Sequence, residues 1–444
     1  MSFSRYPAYK DSGVEWLGEV PAHWDCGRLS YVASCNDEVL PENTPDDYEI
    51  EYVEISGVEA GRGIVEVSTL PFGSAPSRAR RVLRDGDILI STVRTYLRAI
   101  AQVNAPSDNT IASTGFAVLR PRSVESRYLG YACHAEGFVG EVIARSVGVS
   151  YPAINASELV RLQIPLPPSD EQAAIAAFLD RETAKIDALV AEQENLIGLL
   201  KEKRSAVISH AVTKGLDPSV PMKDSGVEWL GEVPAHWVVK PLGTLAHVIQ
   251  TGPFGSQLHS DEYVEDATPV INPSNIIDGQ LCPDPLSTVS DEVVARLAHH
   301  KLYAGDIVLG RRGEMGRCAF VNQTQTGWLC GTGCLKIRLS SDGLPEFVCH
   351  YLATETIKQY LSLQSVGSTM ENLNTQILSR VPIPVPDVTE QAEICEALTE
   401  QLEVLDALAS EAVIGVQLLQ ERRTALISAA VTGQIDVRQS VLIA

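Results

Sequence analysis

The chain predicts an α+β fold: two tandem-repeated globular lobes of mixed helix and strand, separated by a long antiparallel two-helix coiled coil and related by pseudo-twofold symmetry. Three observations carry that expectation. Residues Lys10–Trp24, KDSGVEWLGEVPAHW, recur letter for letter at Lys223–Trp237, an offset of 213. A long helical pattern over 166–213, opening LPPSDEQAAIAAFLD and closing EKRSAVISHAVT, recurs over 385–432, opening VPDVTEQAEICEALT and closing ERRTALISAAVT. Between each box and its helix lies a region, 25–165 or 238–387, that differs in sequence yet keeps its landmarks. A repeat of roughly 215 residues exceeds solenoid periods and reads as a duplicated domain plus spacer.

Each element follows from its residues. In the box, Gly13, Gly18 and Pro21 punctuate a turn-rich lead-in, and Trp16, Leu17, Val20 and Trp24 supply its apolar anchor. His23 recurs as His236 and reads as a structural, hydrogen-bonding histidine, with no nucleophile or carboxylate at fixed spacing beside it. In the variable regions, β-branched runs such as Ile50–Ile55 and Ile88–Val93 alternate with Gly, Pro and Asp, which predicts strands and turns. Asp85-Gly86-Asp87 reads as a turn feeding the strand at Ile88, and Tyr128–Ala144 fits one helix. The landmarks pair Gly86-Asp87-Ile88 with Gly305-Asp306-Ile307, Thr114-Gly115 with Thr332-Gly333, Val147-Gly148 with Val366-Gly367, and Asn155 with Asn374.

Prolines at 165–168 and 384–386 stop regular structure before each long helix. Ser169 with Gln172 fits a capping box, and Thr389 is placed to cap the second helix. Ile175, Leu179, Ile186, Leu189 and Leu200 step along one seam, and Ile394, Leu398, Leu405, Leu408 and Leu419 along the other. Such a helix is marginal alone in water, so the two are expected to pack antiparallel, as a rod of roughly 55–60 Å.

Composition is that of an ordinary globular chain, with 45% apolar and 21% charged residues. The opening residues lack an apolar signal region, no run is long enough to span a bilayer, and nine scattered cysteines without a CxxC pair read as reduced thiols; the expectation is cytoplasmic. The net charge of −22 argues against a simple nucleic-acid binder, but it is unevenly spread. Residues 78–122 hold eight Arg against three Asp, and 296–338 hold seven Lys/Arg against Asp306 and Glu314; both windows are net +5. Residues 390–433 carry eight acids and two Arg. Local potential governs contact with phosphates.

No nucleotide-phosphate loop, nucleophile elbow or HExxH motif is present. Asn272-Pro273-Ser274-Asn275 lacks the second proline and aromatic of an amino-methyltransferase motif, and Asp46 with Glu49 and Glu51 lacks a nuclease's lysine. The candidate DNA contacts are therefore guanidinium and amide groups able to fork onto guanine, adenine or phosphate, with the aromatic and hydroxyl side chains that share their loops. In the first lobe they are Arg78, Arg80, Arg81, Arg94, Tyr96, Arg98 and Asn109. In the second they are Phe254, Ser256 and Gln257 in one glycine-rich loop, and Arg311, Arg312 and Arg317 in another. Any single Arg could be a solvated surface charge; the recurrence of the clusters at matching places favours contact.

This layout resembles the specificity subunit of type I restriction-modification systems. The resemblance rests on the duplicated box, the GDI(L/V) strand entries, the IPLPP and IPVPD exits and the EQ-initiated helices, and it covers essentially the whole chain. It implies a first target-recognition domain at 1–168, a spacer helix at 169–213, a second target-recognition domain at 214–387, and a second helix with tail at 388–444. It implies a non-catalytic DNA-binding subunit that holds two methyltransferase subunits and, in the larger complex, translocase-nuclease subunits. S-adenosylmethionine, ATP and Mg²⁺ would belong to those partners, with no cofactor or metal in this chain. Dissimilar lobes on a fixed rod imply an asymmetric bipartite site with an unread spacer. The competing readings are a pseudo-symmetric protein–protein scaffold, suggested by the charge, and an enzyme with an unrecognised site.

Overall fold

The indole of Trp24 is fully buried, and it is placed by a carboxylate far away in sequence. Trp24 Nε1 donates to Glu171 Oε2 at 2.9 Å, and His23 Nε2 lies 2.6 Å from Glu171 Oε1. The second box repeats the contact: Trp237 Nε1 donates to Glu390 Oε1 at 3.0 Å, and His236 Nε2 lies 2.8 Å from Glu390 Oε2. Each duplicated box thus docks on the first turn of a long helix. The histidines are structural, as expected, but each does have a carboxylate partner.

The computed structural model describes residues 4–254, 256–313, 315–365 and 373–438. The landmark Val366-Gly367 and Glu314 lie outside them. The chain divides into two units, one of residues 1–194 with 413–444 and the other of 195–412, so the division falls inside both long helices.

The first unit contains strands β1 (Asp25–Arg28), β2 (Ala33–Cys35), β3 (Glu49–Val53), β4 (Ser68–Pro71), β5 (Ala79–Val82), β6 (Ile88–Ser91), β7 (Ile100–Gln102), β8 (Thr110–Ser113) and β9 (Phe116–Pro121). Helices α1 (Ser126–His134) and α2 (Glu136–Ala144), strand β10 (Gln163–Leu166) and the start of α3 (Ser169–Lys214) follow. One sheet runs β7-β6-β9-β2, all antiparallel; a second runs β4-β3-β8-β5, with β3 and β8 parallel. The unbroken apolar run of β6 is explained by burial on both faces. Ile88 and Ile90 join the cluster of Trp24, Tyr128, Phe138, Ile175, Leu179 and Ile427, while Leu89 joins that of Val53, Leu83, Ala112 and Phe116.

The second unit repeats this plan with β11 (Val238–Pro241), β12 (Ala246–Thr251), β13 (Tyr263–Val264), β14 (Thr268–Ile271), β15 (Thr288–Val289), β16 (Ile307–Gly310), β17 (Cys318–Phe320), β18 (Leu329–Cys330) and β19 (Cys334–Leu339). It continues through α4 (Pro345–Leu352), α5 (Glu355–Ser365), β20 (Pro382–Val385) and the start of α6 (Val388–Val431). Its sheets run β12-β19-β16-β17 and β13-β15-β14-β18, the last pair parallel. Ile307 and Leu309 face the helices and Val308 the other side.

The fold class is the one expected, tandem α+β lobes with paired long helices. Within each unit the helix segments run antiparallel: Arg423 reaches Asp187 at 2.9 Å in the first, and Arg204 reaches Asp406 at 3.1 Å in the second. Ile175, Leu179, Ile186, Leu200, Ile394, Leu398 and Leu405 are buried, and Leu419 is half-buried. Leu189 and Leu408 instead stand exposed, while Leu402 and Ala412 are buried.

Three local expectations are corrected. The helix expected over Tyr128–Ala144 breaks at Ala135, which is extended (ψ 134°), and the freed Glu136 N–H donates to Ser428 Oγ. Gly137 follows because a Cβ there would sit 2.4 Å from the Trp16 ring. Gln172 does not close a capping box with Ser169. Its amide donates to Pro167 O and accepts from Glu125 N–H, tying helix to lobe, as Gln391 does with Pro386 O, Asp342 O and Leu344 N–H. The second helix is capped by Asp387, whose Oδ1 accepts from Glu390 N–H, two residues earlier than Thr389. The helices end at Gly215 and Gly433, both with left-handed φ and packed against Trp237 and Trp24 respectively.

Candidate nucleic-acid interface

In each lobe the aspartate of the GD landmark is a buried carboxylate rather than a surface turn residue. Asp87 accepts from Arg84 N–H and from Arg120 Nε and Nη2, the last two at 2.9 Å. Asp306 accepts from Tyr303 N–H and from Arg338 Nε and Nη2, both at 2.7 Å. One arginine of each basic window is thereby committed to the fold. Hydrogen bonds from Arg84 and Arg120 also pull the Glu38 carboxyl down to about 2.

Most of the first window is paired in this way. Arg78 bonds Glu54, Arg84 bonds Glu38, Arg98 forms a two-point pair with Glu136 at 2.7 and 2.6 Å, and Arg122 reaches Asp37 at 3.2 Å. Apart from Asp87 and Asp108, these acids lie outside 78–122, so a charge count over the window could not see them. Arg80, Arg81 and Arg94 have no carboxylate partner among the described residues. Arg80 lies over the Phe72 ring, Arg81 is half-buried with an unsatisfied Nε, and Arg94 is exposed and stacked on Tyr151 at 4.8 Å. Tyr96 is half exposed, and Asn109 uses its Nδ2 to hold Glu49 O.

In the second lobe, Arg296 pairs with Glu262, and Lys336 bonds the carbonyls of His299 and Lys301. Arg312 is exposed and has no carboxylate partner among the described residues. Arg311 is half-buried, its guanidinium charge disfavoured first by burial and then by Arg312. Arg317 Nη1 approaches Pro273 O at 3.4 Å. Phe254 projects from its loop, and Gln257 Oε1 accepts from Phe254 N–H; Ser256 is exposed beside them.

Backbone bonds bring several of these residues to one end of each lobe. Thr114 N–H donates to Arg78 O, Thr92 N–H to Gly115 O, and Ile154 N–H to Thr92 O. In the second lobe Arg311 N–H donates to Gly333 O, and Leu373 N–H to Arg311 O. The Thr-Gly landmark is therefore a clasp: its glycine carbonyl adds one rung to the β6–β9 ladder, or the β16–β19 ladder, and holds the start of the tip to the adjacent strand of the same sheet. Sequence reading named the landmark without its role; the cue was its recurrence next to a strand end.

Comparison with known proteins gives a consistent result. The model of the type I restriction modification DNA specificity domain matches residues 46–197 and 234–410. The type I restriction enzyme MjaVIII specificity subunit of Methanocaldococcus jannaschii is 23% identical over 66% of this chain and 67% of its own length. The putative type I restriction enzyme MjaX specificity subunit of the same organism is 23% identical over 95% of this chain and 96% of its own. A solved chain from work on complex assembly and conformational transition of the type I R-M system superposes with a TM-score of 0.67 at 24% identity, covering 93% of this chain and 98% of that one. That last likeness concerns the fold.

Proposed function

Because the chain belongs to the type I restriction modification DNA specificity domain family, we propose that it is the DNA-specificity subunit of such a system, each lobe reading one half of an asymmetric bipartite site. The observation that carries the reading is a backbone built twice with different residues at its tips. Both lobes clasp the tip through Thr-Gly and lock the GD aspartate to an arginine, yet one tip carries Thr92-Val93-Arg94-Thr95-Tyr96 and the other Arg311-Arg312-Gly313. Two readers of one design with different contact groups suit two different half-sites.

In this reading the chain is non-catalytic. Its partners are double-stranded DNA, two methyltransferase subunits and, in the full complex, restriction subunits, and it works in the cytoplasm. S-adenosylmethionine, ATP and Mg²⁺ are held by those partners. The helical arm docks them: Leu189, Ile414 and Leu418 in the first unit, and Leu199, Val404 and Leu408 in the second, are exposed apolar side chains on acidic helices, poorly suited to phosphate and well suited to protein.

The test is reconstitution with the methyltransferase subunits, followed by gel shift and a map of modified adenines. A split motif that depends on lobe-tip residues supports the reading. Assembly without any dependence of binding or modification on the tips would favour a pure scaffold.

A further inference from the structure

Two arginines of the first lobe occupy backbone that favours glycine. After β6 the chain makes a single 3-10 turn, Thr95–Leu97, flanked by Arg94 (φ 49°, ψ 47°) and Arg98 (φ 54°, ψ 34°). Both are left-handed, a conformation that side chains with a Cβ rarely adopt. The second lobe makes the corresponding turn after β16. Counting forward from the strand, Arg94 matches Gly313 (φ 77°). Counting back from the closing pairs, Ser91 N–H to Ala99 O and Gly310 N–H to Arg317 O, Arg98 matches Gly316 (φ 79°). The left-handed positions near the two ends of the tip are thus taken by arginines in the first lobe and by glycines in the second, whose tip is one residue shorter. Strain held in a folded tip is a pointer to a role for the side chain that imposes it.

What surrounds Arg94 indicates that role. Its N–H donates to Pro152 O, Val93 bridges Ala153, and Thr95 Oγ1 meets Ser146 Oγ at 2.7 Å, so the loop after α2 is fastened to the turn. The guanidinium lies on the Tyr151 ring, while Arg98 is held by Glu136. Tyr96, Val149 and Tyr151 all stand exposed around it. An unpaired guanidinium on an aromatic shelf, on a tip that also exposes Tyr96, can fork onto a guanine edge or a phosphate with an aromatic face beside it.

We propose that the Arg94 tip, with Tyr151 as its shelf, is the base-reading element of the first lobe, and that Arg98 braces it. This rests on the DNA-specificity reading. The glycines at the matching places let the second lobe present Arg312 instead, which is why the two half-sites differ.

The experiment is a genome-wide map of methylated adenines in cells carrying the intact system with wild-type chain, R94G or Y151A, together with thermal unfolding and co-purification of the methyltransferase subunits. R94G relieves strain, so its Tm is expected unchanged or raised by about 2–4 °C. The map is expected to lose at least about tenfold discrimination in one half of the motif and keep the other. Y151A is expected to relax the same half more weakly. A wild-type chain that yields no split motif overturns the DNA reading and this proposal with it. A wild-type split motif that both variants leave intact overturns the tip assignment alone. Loss of methyltransferase co-purification in R94G, with the motif unaltered where complex forms, would make the tip a protein interface and overturn it as well.

Discussion

The Glu171 carboxylate accepts the Trp24 indole N–H at 2.9 Å while its other oxygen meets His23, and so one acid at the head of a helix fixes the whole first box. Tyr6 adds a third contact, its hydroxyl donating to Glu171 Oε2 at 3.1 Å. Glu390 does the same work for Trp237 and His236. Replacing Glu171 by Gln keeps the shape but removes the charge and turns one acceptor into a donor facing the indole or the imidazole. The expected loss is about 1.5–3 kcal/mol, as for a hydrogen bond to a buried charged group. Urea unfolding of E171Q checks it; E390Q is expected to cost less, because Glu390 is more exposed. A loss below about 0.5 kcal/mol for E171Q would refute the assignment.

A second prediction concerns the GD landmark. Asp87 is fully buried and held by Arg120 and Arg84 N–H. D87A leaves Arg120 with Glu38, at 2.9 Å, and the Val82 carbonyl, at 3.4 Å. The expected cost is about 1–3 kcal/mol, because the Arg84 N–H and half of the Arg120 fork lose their acceptor while Glu38 keeps the guanidinium partly paired. D87A/R120M is expected to recover part of it, which a double-mutant cycle would read. If D87A proves neutral, the aspartate is a turn former only.

Much of this architecture was legible in the sequence because duplication exposes it. The box, the long helices, the GD turn before β6 and the Thr-Gly landmark all stood out by recurring. Their partnerships did not. His23-Trp24 and Glu171 are nearly 150 residues apart, and the cue, a Glu-Gln pair repeated wherever His-Trp repeats, links no residues by periodicity. For a related reason the net charge of the first basic window is partly compensated: Glu38, Glu54 and Glu136 lie outside the window and are brought in by the sheets and α2. The seam positions follow the periodicity except at Leu189 and Leu408, which share the face of their buried neighbours yet stand exposed.

Acid sensitivity of the second unit should trace to His350 on α4. Burial, reinforced by the charge of Arg204, lowers its pKa to about 4 from an ordinary 6.5. The folded state therefore resists a proton that the unfolded chain accepts. The stability this represents is complete above pH 6.5 and is lost as pH falls toward 4, amounting to no more than about 3 kcal/mol. His300, lowered by burial and by Lys336, acts in the same direction. H350Q is expected to flatten the fall in urea midpoint between pH 7 and 5 without abolishing it. An unchanged slope would place the acid sensitivity elsewhere.

The second lobe offers a direct contrast between an anchored and an offered arginine. Arg338 is bound at two points to Asp306, whereas Arg312 is exposed and has no carboxylate partner among the described residues. R312A is accordingly expected to leave the urea midpoint within about 0.5 kcal/mol of wild type. In the reconstituted complex it should weaken or relax one half-site by about 1–3 kcal/mol if the contact is to a base. R338A should instead destabilise the fold, because Asp306 remains buried without its counter-charge. Binding measured against duplexes altered in one half at a time separates the cases. Equal loss at unrelated sequences would mark Arg312 as a phosphate contact, with a reduced salt slope. No loss at either half would remove Arg312 from the interface and shift the reading of that half toward the Phe254–Gln257 loop.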